Sequence, residues 1–337
     1  QRGMALGVNQ VAAIAGSFLG LVIGGLLSEW HWRAVFWVSV PFGVIGAIWS
    51  YASLHEVGIR HRGKLDIPGN LTFALGLTAL LTGVTYGLQP YNGSAMGWGN
   101  PWVFGALLAG VGLLCAFVVV ERRVDDPMFH MDLFKIPAFS LGNLAGLLGS
   151  ISRGGLQLVL IIWLQGIWLP RRGYSYESTP LWASIFLVPL TIGFLTAGPV
   201  SGWLSDRYGT RRFTVLGAAI SALSFLGLVV LPVDFAYPVF GLLIFLNGVG
   251  SGMFSSPNAS VVMNSVPAAA RGAASGMRMT FFNAGSAVSI GVFFSLMVVG
   301  LANTLPSTLA AGLIAQKVPA DIAHQLAGLP PVGILFA

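Results

Sequence analysis

The stretch GVNQVAAIAGSFLGLVIGG, residues 7–25, places five glycines among nineteen residues that carry no charge. In a water-soluble helix each interior glycine costs about 1 kcal/mol relative to alanine, so this stretch would lose roughly 4 to 5 kcal/mol of helix stability. In lipid, close backbone approach through small residues is the main source of tight helix packing. Gly16, Gly20 and Gly24 are spaced by four and share one helix face. The stretch therefore predicts a membrane helix that presses this face against a neighbour.

The composition of the whole chain also indicates a membrane protein. It is 55% apolar and 8% charged, with a mean hydropathy of +0.81, whereas soluble domains carry about 25% charged residues. Apolar runs of about 20 residues, the length that crosses ~30 Å of hydrocarbon as a helix, recur along the sequence. We predict an all-α polytopic membrane protein with about nine complete transmembrane helices, at 4–27, 34–54, 69–89, 102–120, 139–165, 181–204, 213–232, 236–262 and 273–301, plus the start of another near Pro331.

Basic residues predict the orientation, because Lys and Arg are retained in short cytoplasmic loops. With the first residue inside, eleven of the seventeen Lys and Arg residues face the cytoplasm and four face outward. The net charge of +6 is thus explained by topology, and we expect no nucleic-acid partner. The chain starts at Gln1 without an initiator Met, and we interpret it as a fragment of a longer protein.

A sequence pattern that occurs twice predicts structural repeats. RGMALG at residues 2–7 recurs as RGAASG at residues 271–276, an offset of 269 residues that also places Gly16 on Gly285. The first and ninth spans are then equivalent members of two six-helix halves, an arrangement typical of secondary transporters, with the substrate site between the halves. The predicted organisation is the last two helices of the N-terminal half at 1–54, a two-helix central insert with cytoplasmic loops at 55–135, and the C-terminal half at 136–337, truncated before its last helix is complete.

A second motif, GWLSDRYGTRRF at residues 202–213, lies between the sixth and seventh predicted spans. Gly202 allows two helices to approach, and Gly209 supplies a turn conformation with positive φ. Asp206 is placed to pair with arginines or to meet a helix N-terminus. Topology alone would explain the arginines of this loop, but it does not explain an aspartate and two glycines at fixed spacing.

Together these residues resemble the fourteen-spanner drug:proton antiporters of the major facilitator superfamily, as helices five to thirteen of fourteen. The opening stretch is similar to that family's antiporter motif and departs from it at Leu21, where the family has a proline. The second stretch resembles the superfamily's cytoplasmic loop motif at every specified position. The matching residues are Gly7, Gly16, Gly20, Gly24 and Gly25 in the first motif, and Gly202, Asp206, Arg207, Gly209, Arg211 and Arg212 in the second.

The resemblance implies a major facilitator fold in the bacterial cytoplasmic membrane and export of drugs or other small amphipathic molecules by alternating access. It also implies that the glycine face seals the path between the halves and that the loop takes part in conformational switching. Transport would be driven by protons without a cofactor. The sequence contains no phosphate-binding Gly-Lys-Ser/Thr loop for ATP, and its histidines and single cysteine have no metal-ligand spacing. No required protein partner is evident.

Polar residues inside the spans are candidates for a central cavity. Arg153 lies deep in the span 139–165, where a charge should face a cavity or a partner. It either binds anionic substrate groups or tunes a proton-carrying carboxylate, or it pairs with backbone carbonyls. Gln157 and Gln165 follow on roughly the same helical side and are candidates for the same cavity. Pro257 predicts a break in the span 236–262 that can serve as a hinge.

Two alternative functions remain open, and a third is weaker. The same architecture could import a nutrient or metabolite by proton symport, and a transporter-like membrane sensor without flux would share the composition. A membrane-embedded enzyme would need a nucleophile with a base, or a metal cluster, within the spans, and none is apparent. We therefore predict that the protein is not an enzyme. We also expect that the fragment alone cannot transport.

Overall fold

The structure is a computed structural model that describes residues 16, 19–20, 23–24, 26–27, 31, 33–53, 66–94, 96–124, 126–232, 234–316 and 318–327. Within these residues the regular structure is helical, apart from one isolated antiparallel bridge between Tyr91 and Ser94. The predicted all-α class is therefore confirmed.

Eight helical segments of the described chain are long and apolar enough to cross a membrane. They correspond to the second to ninth predicted spans, whereas most of the first span, 4–27, and the start near Pro331 lie outside the described residues. The eight segments are Ala34–Ser53, Ile67–Gly87, Pro101–Glu121, Pro137–Arg171, Tyr176–Tyr208, Thr210–Val230, Tyr237–Asn264 and Ala268–Leu301.

The helices are numbered here in chain order. Several begin at or next to a proline, whose missing N–H is not needed in the first turn. Helix α4 continues through a π-helical turn, Leu164–Trp168, into a last turn at Leu169–Arg171. The bounds are α1 Ala34–Ser53, α2 Ile67–Gly87, α3 Pro101–Glu121, α4 Pro137–Trp163, α5 Thr179–Phe186, α6 Val188–Tyr208, α7 Thr210–Val230, α8 Tyr237–Asn264, α9 Arg271–Ala315 and α10 Ala320–Ala327.

The chain divides into two compact units. The first comprises Gln1–Gly63, Pro137–Gly142 and Leu160–Pro267, and the second comprises Lys64–Ile136, Asn143–Val159 and Ala268–Ala337. The predicted boundaries at residues 54 and 135 separate a two-helix insert from the two halves of a transporter. They stay a prediction.

In the first unit, α8 packs against both α6 and α7 through glycines. A methyl group added at Gly252 of α8 would lie 2.9 Å from the backbone oxygen of Phe194 in α6. On the α7 side, a methyl group at Gly217 would lie 2.6 Å from the backbone oxygen of Gly250. Glycine at these positions therefore allows direct backbone contact, which is the packing that lipid-exposed helices depend on.

In the second unit, α2 and α3 form a closely packed pair. A methyl group at Gly110 of α3 would lie 2.8 Å from the backbone nitrogen of Leu80, and one at Gly83 of α2 would lie 2.9 Å from the Leu107 side chain. Helix α2 also contacts α9, where a methyl group at Gly291 would overlap Val84. The same mode of packing thus recurs in both units.

Hydroxyl side chains within the spans bind backbone carbonyls and need no water. The Thr72 hydroxyl donates to Pro68 O at 2.7 Å, and the Thr196 hydroxyl donates to Ile192 O at 2.8 Å, both in the preceding turn. The Ser224 hydroxyl of α7 donates across the interface to Leu243 O of α8 at 2.8 Å. Because an unpaired polar group in hydrocarbon is costly, these bonds make the hydroxyls compatible with the membrane.

One expectation about helix continuity needs correction. Helix α8 is not broken at Pro257, because the buried residues on both sides of this proline hold the helix together despite the missing hydrogen bond. A hinge at Pro257 stays a prediction about motion. Helix α9 continues past residue 301 to Ala315, since the stretch after Pro306 is rich in Ala and Leu, which are strong helix formers.

We expect Gly217→Ala to lower the free energy of unfolding by about 1–3 kcal/mol, because the added methyl group overlaps backbone that cannot move aside. Gly227→Ala is the matched control in the same helix. Its methyl group meets only the side-chain end of Leu243, which can rotate away. Thermal unfolding of both purified variants in detergent measures the difference, and equal stability of the two would contradict the packing argument.

Candidate functional site

The turn between α6 and α7 has the geometry predicted from its sequence. Helix α6 ends at Tyr208 and α7 begins at Thr210, so Gly209 alone makes the connection. Its φ of 92° and ψ of 139° lie in a region that essentially only glycine adopts at low cost. The predicted positive φ of Gly209 is confirmed.

Burial divides this motif into an anchored side and an exposed side. Gly202 is buried, and so are two serines beside it. The Ser201 hydroxyl donates to Gly198 O at 3.0 Å and lies 3.4 Å from Gly252 O of α8, while the Ser205 hydroxyl donates to Gly202 O at 2.8 Å. The charged residues of the motif are exposed, and they are Asp206, Arg207, Arg211 and Arg212.

The glycines of the first motif are described only in part. Gly16, Gly20 and Gly24 are helical, and a methyl group at any of them would meet no described atom within 4 Å. Gly7 and Gly25 of the motif, together with Leu21, lie outside the described residues. The packing role of this face therefore stays a prediction.

Gly285, the predicted repeat equivalent of Gly16, does make close contact. It lies in α9, and a methyl group there would overlap the Ser150 hydroxyl and would lie 2.9 Å from Leu147 O, both in α4. Glycine at this position therefore permits backbone approach between α4 and α9, while its equivalence to Gly16 stays a prediction.

Arg153 lies in a stretch of α4 that packs against α9. Its side chain is half-buried, and the next two residues are glycines in tight contact: a methyl group at Gly154 would overlap Ser289, and one at Gly155 would overlap the Phe293 ring. This packing fixes the backbone that carries Arg153.

The two glutamines proposed to accompany Arg153 differ in their surroundings. Gln157 is exposed on α4, and Gln165 is half-buried in the π-helical turn. A π-helical turn changes the angular register of residues that follow it, so the spacing from Arg153 to Gln165 does not translate directly into one face. A shared cavity for the three residues stays a prediction.

An aromatic and basic cluster joins the end of α4 to the connection between α7 and α8. Trp168 stacks on Phe235 with ring centroids 5.1 Å apart, and the Arg172 guanidinium lies 4.3 Å from the Trp168 ring centroid. Arg172 also donates to Phe235 O at 3.0 Å and pairs with Asp234 at 3.4 Å. Only 4% of Trp168 is exposed. Its stacking partner Phe235 lies far along the chain in the connection between α7 and α8, which local sequence patterns do not reveal.

Two buried carboxyl groups at helix ends were also missed by sequence reasoning. The predicted spans 69–89 and 102–120 leave Asp66 and Glu121 in loops. In the structure Asp66 caps the start of α2 and Glu121 is the last residue of α3. The Asp-x-x-Gly spacing of an N-cap before Gly69 was the signal that could have placed the first of them.

Within the described part of the chain, no group of three or more His, Cys, Asp and Glu side chains is arranged to hold a metal ion.

Comparison with known proteins gives one family match. Residues 67–290 match the Major Facilitator Superfamily. The chain is 32% identical over 320 residues to the cephamycin export protein CmcT of Amycolatopsis lactamdurans, covering 92% of this chain and 62% of that protein.

Two further relatives are more distant in identity. The tetracenomycin C resistance and export protein of Streptomyces glaucescens is 25% identical over 340 residues, covering 98% of this chain and 60% of that protein. The uncharacterized MFS-type transporter YhcA of Bacillus subtilis is 26% identical over 268 residues, covering 79% of this chain and 48% of that protein. The chain thus spans about half to three fifths of the length of the curated relatives it matches.

We expect Gly209→Ala to lower the free energy of unfolding by about 1–3 kcal/mol, because a side chain at this φ and ψ is strained. No described atom lies within 4 Å of the added methyl group, so the cost isolates backbone strain from packing. Gly99→Ala is the control, since Gly99 also has open space and has no positive φ. Thermal unfolding in detergent compares the two variants, and the strain argument fails if both unfold at the same temperature.

Proposed function

The chain belongs to the major facilitator superfamily, and on this premise we propose that it is part of a proton-driven exporter of drugs or other small amphipathic molecules. Members of this superfamily are multi-pass membrane transporters of small molecules, not enzymes. The observation that carries the export direction is the 32% identity to a cephamycin export protein over 92% of this chain.

The assignment to the fourteen-spanner drug:proton antiporters is also part of the proposal. It is supported by the α2–α3 pair, whose glycines at 76, 83 and 110 pack these two helices against each other. A self-packed pair of this kind fits a two-helix insert between two six-helix halves. The bacterial relatives support a place in the bacterial cytoplasmic membrane.

Alternating access is supported by the turn between α6 and α7. One glycine with positive φ connects two long helices. The arginines on both sides of Gly209 therefore lie in the last turn of α6 and the first turn of α7, at positions that the turn holds fixed. Charged residues held on either side of so short a turn can form or release contacts together when the transporter changes conformation. We infer that Asp206 and the three arginines form such a switch.

Arg153 is the proposed cavity residue that contacts substrate. A half-buried guanidinium on a helix fixed by Gly154 and Gly155 is suited to bind an anionic group at one defined place. The exposed Gln157, one helical turn further, can add a hydrogen bond to the same ligand.

Proton flux in inverted membrane vesicles tests the export proposal. Vesicles from cells that express the whole gene should lose an imposed proton gradient on addition of a transported drug, because antiport exchanges drug for protons. We expect Asp206→Asn to abolish this substrate-dependent leak at equal protein level. A gradient that stays intact in the wild type over a broad panel of lipophilic cations and anionic drugs would contradict coupled export.

Arg153→Leu tests substrate recognition in the same vesicles. We expect transport of anionic drugs to fall by about tenfold or more, which corresponds to loss of one charge-assisted hydrogen bond, while transport of lipophilic cations is retained. Arg123→Leu is the control, because Arg123 is exposed beyond the end of α3. Unchanged anionic transport by Arg153→Leu would remove this residue from the binding site.

A further inference from the structure

Asp66 and Glu121 bring two carboxyl groups together inside the second unit. The antiparallel packing of α2 and α3 places the start of one helix beside the end of the other, on the side predicted to be cytoplasmic. The exposed fractions are 6% for Asp66 and 3% for Glu121. Burial of this degree is rare for carboxylates unless the charge is compensated.

Each carboxyl group has one oxygen bound to the backbone and one oxygen left over. Gly69 N–H donates to Asp66 Oδ1 at 2.8 Å, and Phe129 N–H donates to Glu121 Oε2 at 3.0 Å. Asp66 Oδ2 and Glu121 Oε1 are buried and accept no hydrogen bond from a donor. The two side chains lie within hydrogen-bonding reach of each other.

Three aromatic rings adjoin this carboxyl pair. Phe73 of α2, Phe117 of α3 and Phe129 have ring centroids 5.1 to 5.7 Å apart. Phe117 lies one turn before Glu121, and the backbone of Phe129 supplies the hydrogen bond to Glu121. Apolar rings at this position limit hydration, so negative charge on both carboxyl groups would be strongly destabilising.

Among the described residues, no cation acts on Glu121. Asp66 is the ionisable group that acts on Glu121. The half-buried His130 has a buried Nδ1 without a hydrogen-bond partner, and it follows the residue that binds Glu121. The remaining charged groups that the structure describes around the pair are of two kinds. Arg122, Arg123, Asp126, Asp132 and Lys135 are exposed, and Arg271 and Arg278 of α9 are half-buried.

We propose that Asp66 and Glu121 share one bound proton, held between Asp66 Oδ2 and Glu121 Oε1. A single proton turns one oxygen into a donor and the other into its acceptor, so both orphaned oxygens are satisfied and one negative charge is removed. The shared proton fastens the segment after α3 to the start of α2. The site is a property of the α2–α3 pair and does not depend on transport.

Gly69 is part of the same arrangement. A methyl group at this position would overlap Asp66 Oδ2, the oxygen that faces the proton. Glycine therefore leaves room for the capping carboxyl group to lie over the helix start while its second oxygen reaches Glu121.

Proton uptake on folding determines whether the stability rises or falls with pH. The folded pair keeps a proton that free carboxyl groups have released by neutral pH, so folding takes up a proton and stability falls as pH rises. We expect the unfolding temperature of the wild-type chain in detergent to fall by about 3 °C or more between about pH 5 and about pH 8.

Two conservative variants remove the titration and keep a hydrogen-bond donor. In Glu121→Gln and in Asp66→Asn, the amide donates to the remaining carboxylate at any pH, so the unfolding temperature should change much less over the same range. Asp132→Asn is the matched control. The hydrogen bond and charge of Lys135, 2.6 Å away, hold the pKa of Asp132 below its ordinary value, so Asp132 is ionised throughout and its loss should leave the pH profile parallel to the wild type.

Infrared difference spectra between the two pH values give a second readout. The wild type should lose a protonated-carboxyl band on alkalinisation, and Glu121→Gln and Asp66→Asn should lack it. Parallel pH profiles for the wild type and both variants, with no difference in this band, would overturn the proposal. Recovery of wild-type stability at about pH 8 by Na⁺ in place of N-methylglucamine, absent in the variants, would also overturn it, because the pair would then hold a metal cation.

Discussion

Backbone contact through glycine is the interaction on which this structure depends. In water, helices associate because association buries apolar side chains, but in hydrocarbon the lipid tails offer the same environment, and close packing must supply the attraction. The chain has 45 glycines among 337 residues. In α8 they serve two neighbours at once, because Gly252 approaches α6 and Gly250 approaches α7. A helix with larger side chains could not be in direct backbone contact on both sides.

Tight glycine packing also determines where polar groups can be held. Arg153 is carried by the stretch of α4 that cannot shift along α9, since Gly154 and Gly155 are already in contact. Asp66 and Glu121 come together because Gly76, Gly83 and Gly110 hold α2 and α3 in close contact. In both cases glycines, which have no reactive side chain, determine the positions of the charged residues.

The sequence predicts the helices well and the long-range partners poorly. Eight spans could be placed from apolar runs alone, because only a helix satisfies its own backbone in a membrane. The positive φ of Gly209 could be predicted because it depends on neighbouring residues only. Burial of Trp168 and the pairing of Asp66 with Glu121 could not, since each depends on residues more than fifty positions away. A shift of one to three residues in helix ends was enough to assign both carboxyl groups to loops.

The length of α9 has a mechanical consequence. Its 45 residues make a rod of about 68 Å, whereas the bilayer with its headgroups is ~45 Å thick. Even a tilt of about 40° leaves a rod of this length longer than the membrane. For a straight extension, a change of about 10° in the tilt of the membrane portion would move the tip of the ~21 Å part beyond Leu301 by about 4 Å. Pro306 lies inside this part and is the position at which it would bend. The stiffness of the helix at Pro306 thus determines how far a small change of tilt inside the bilayer is transmitted to its surface.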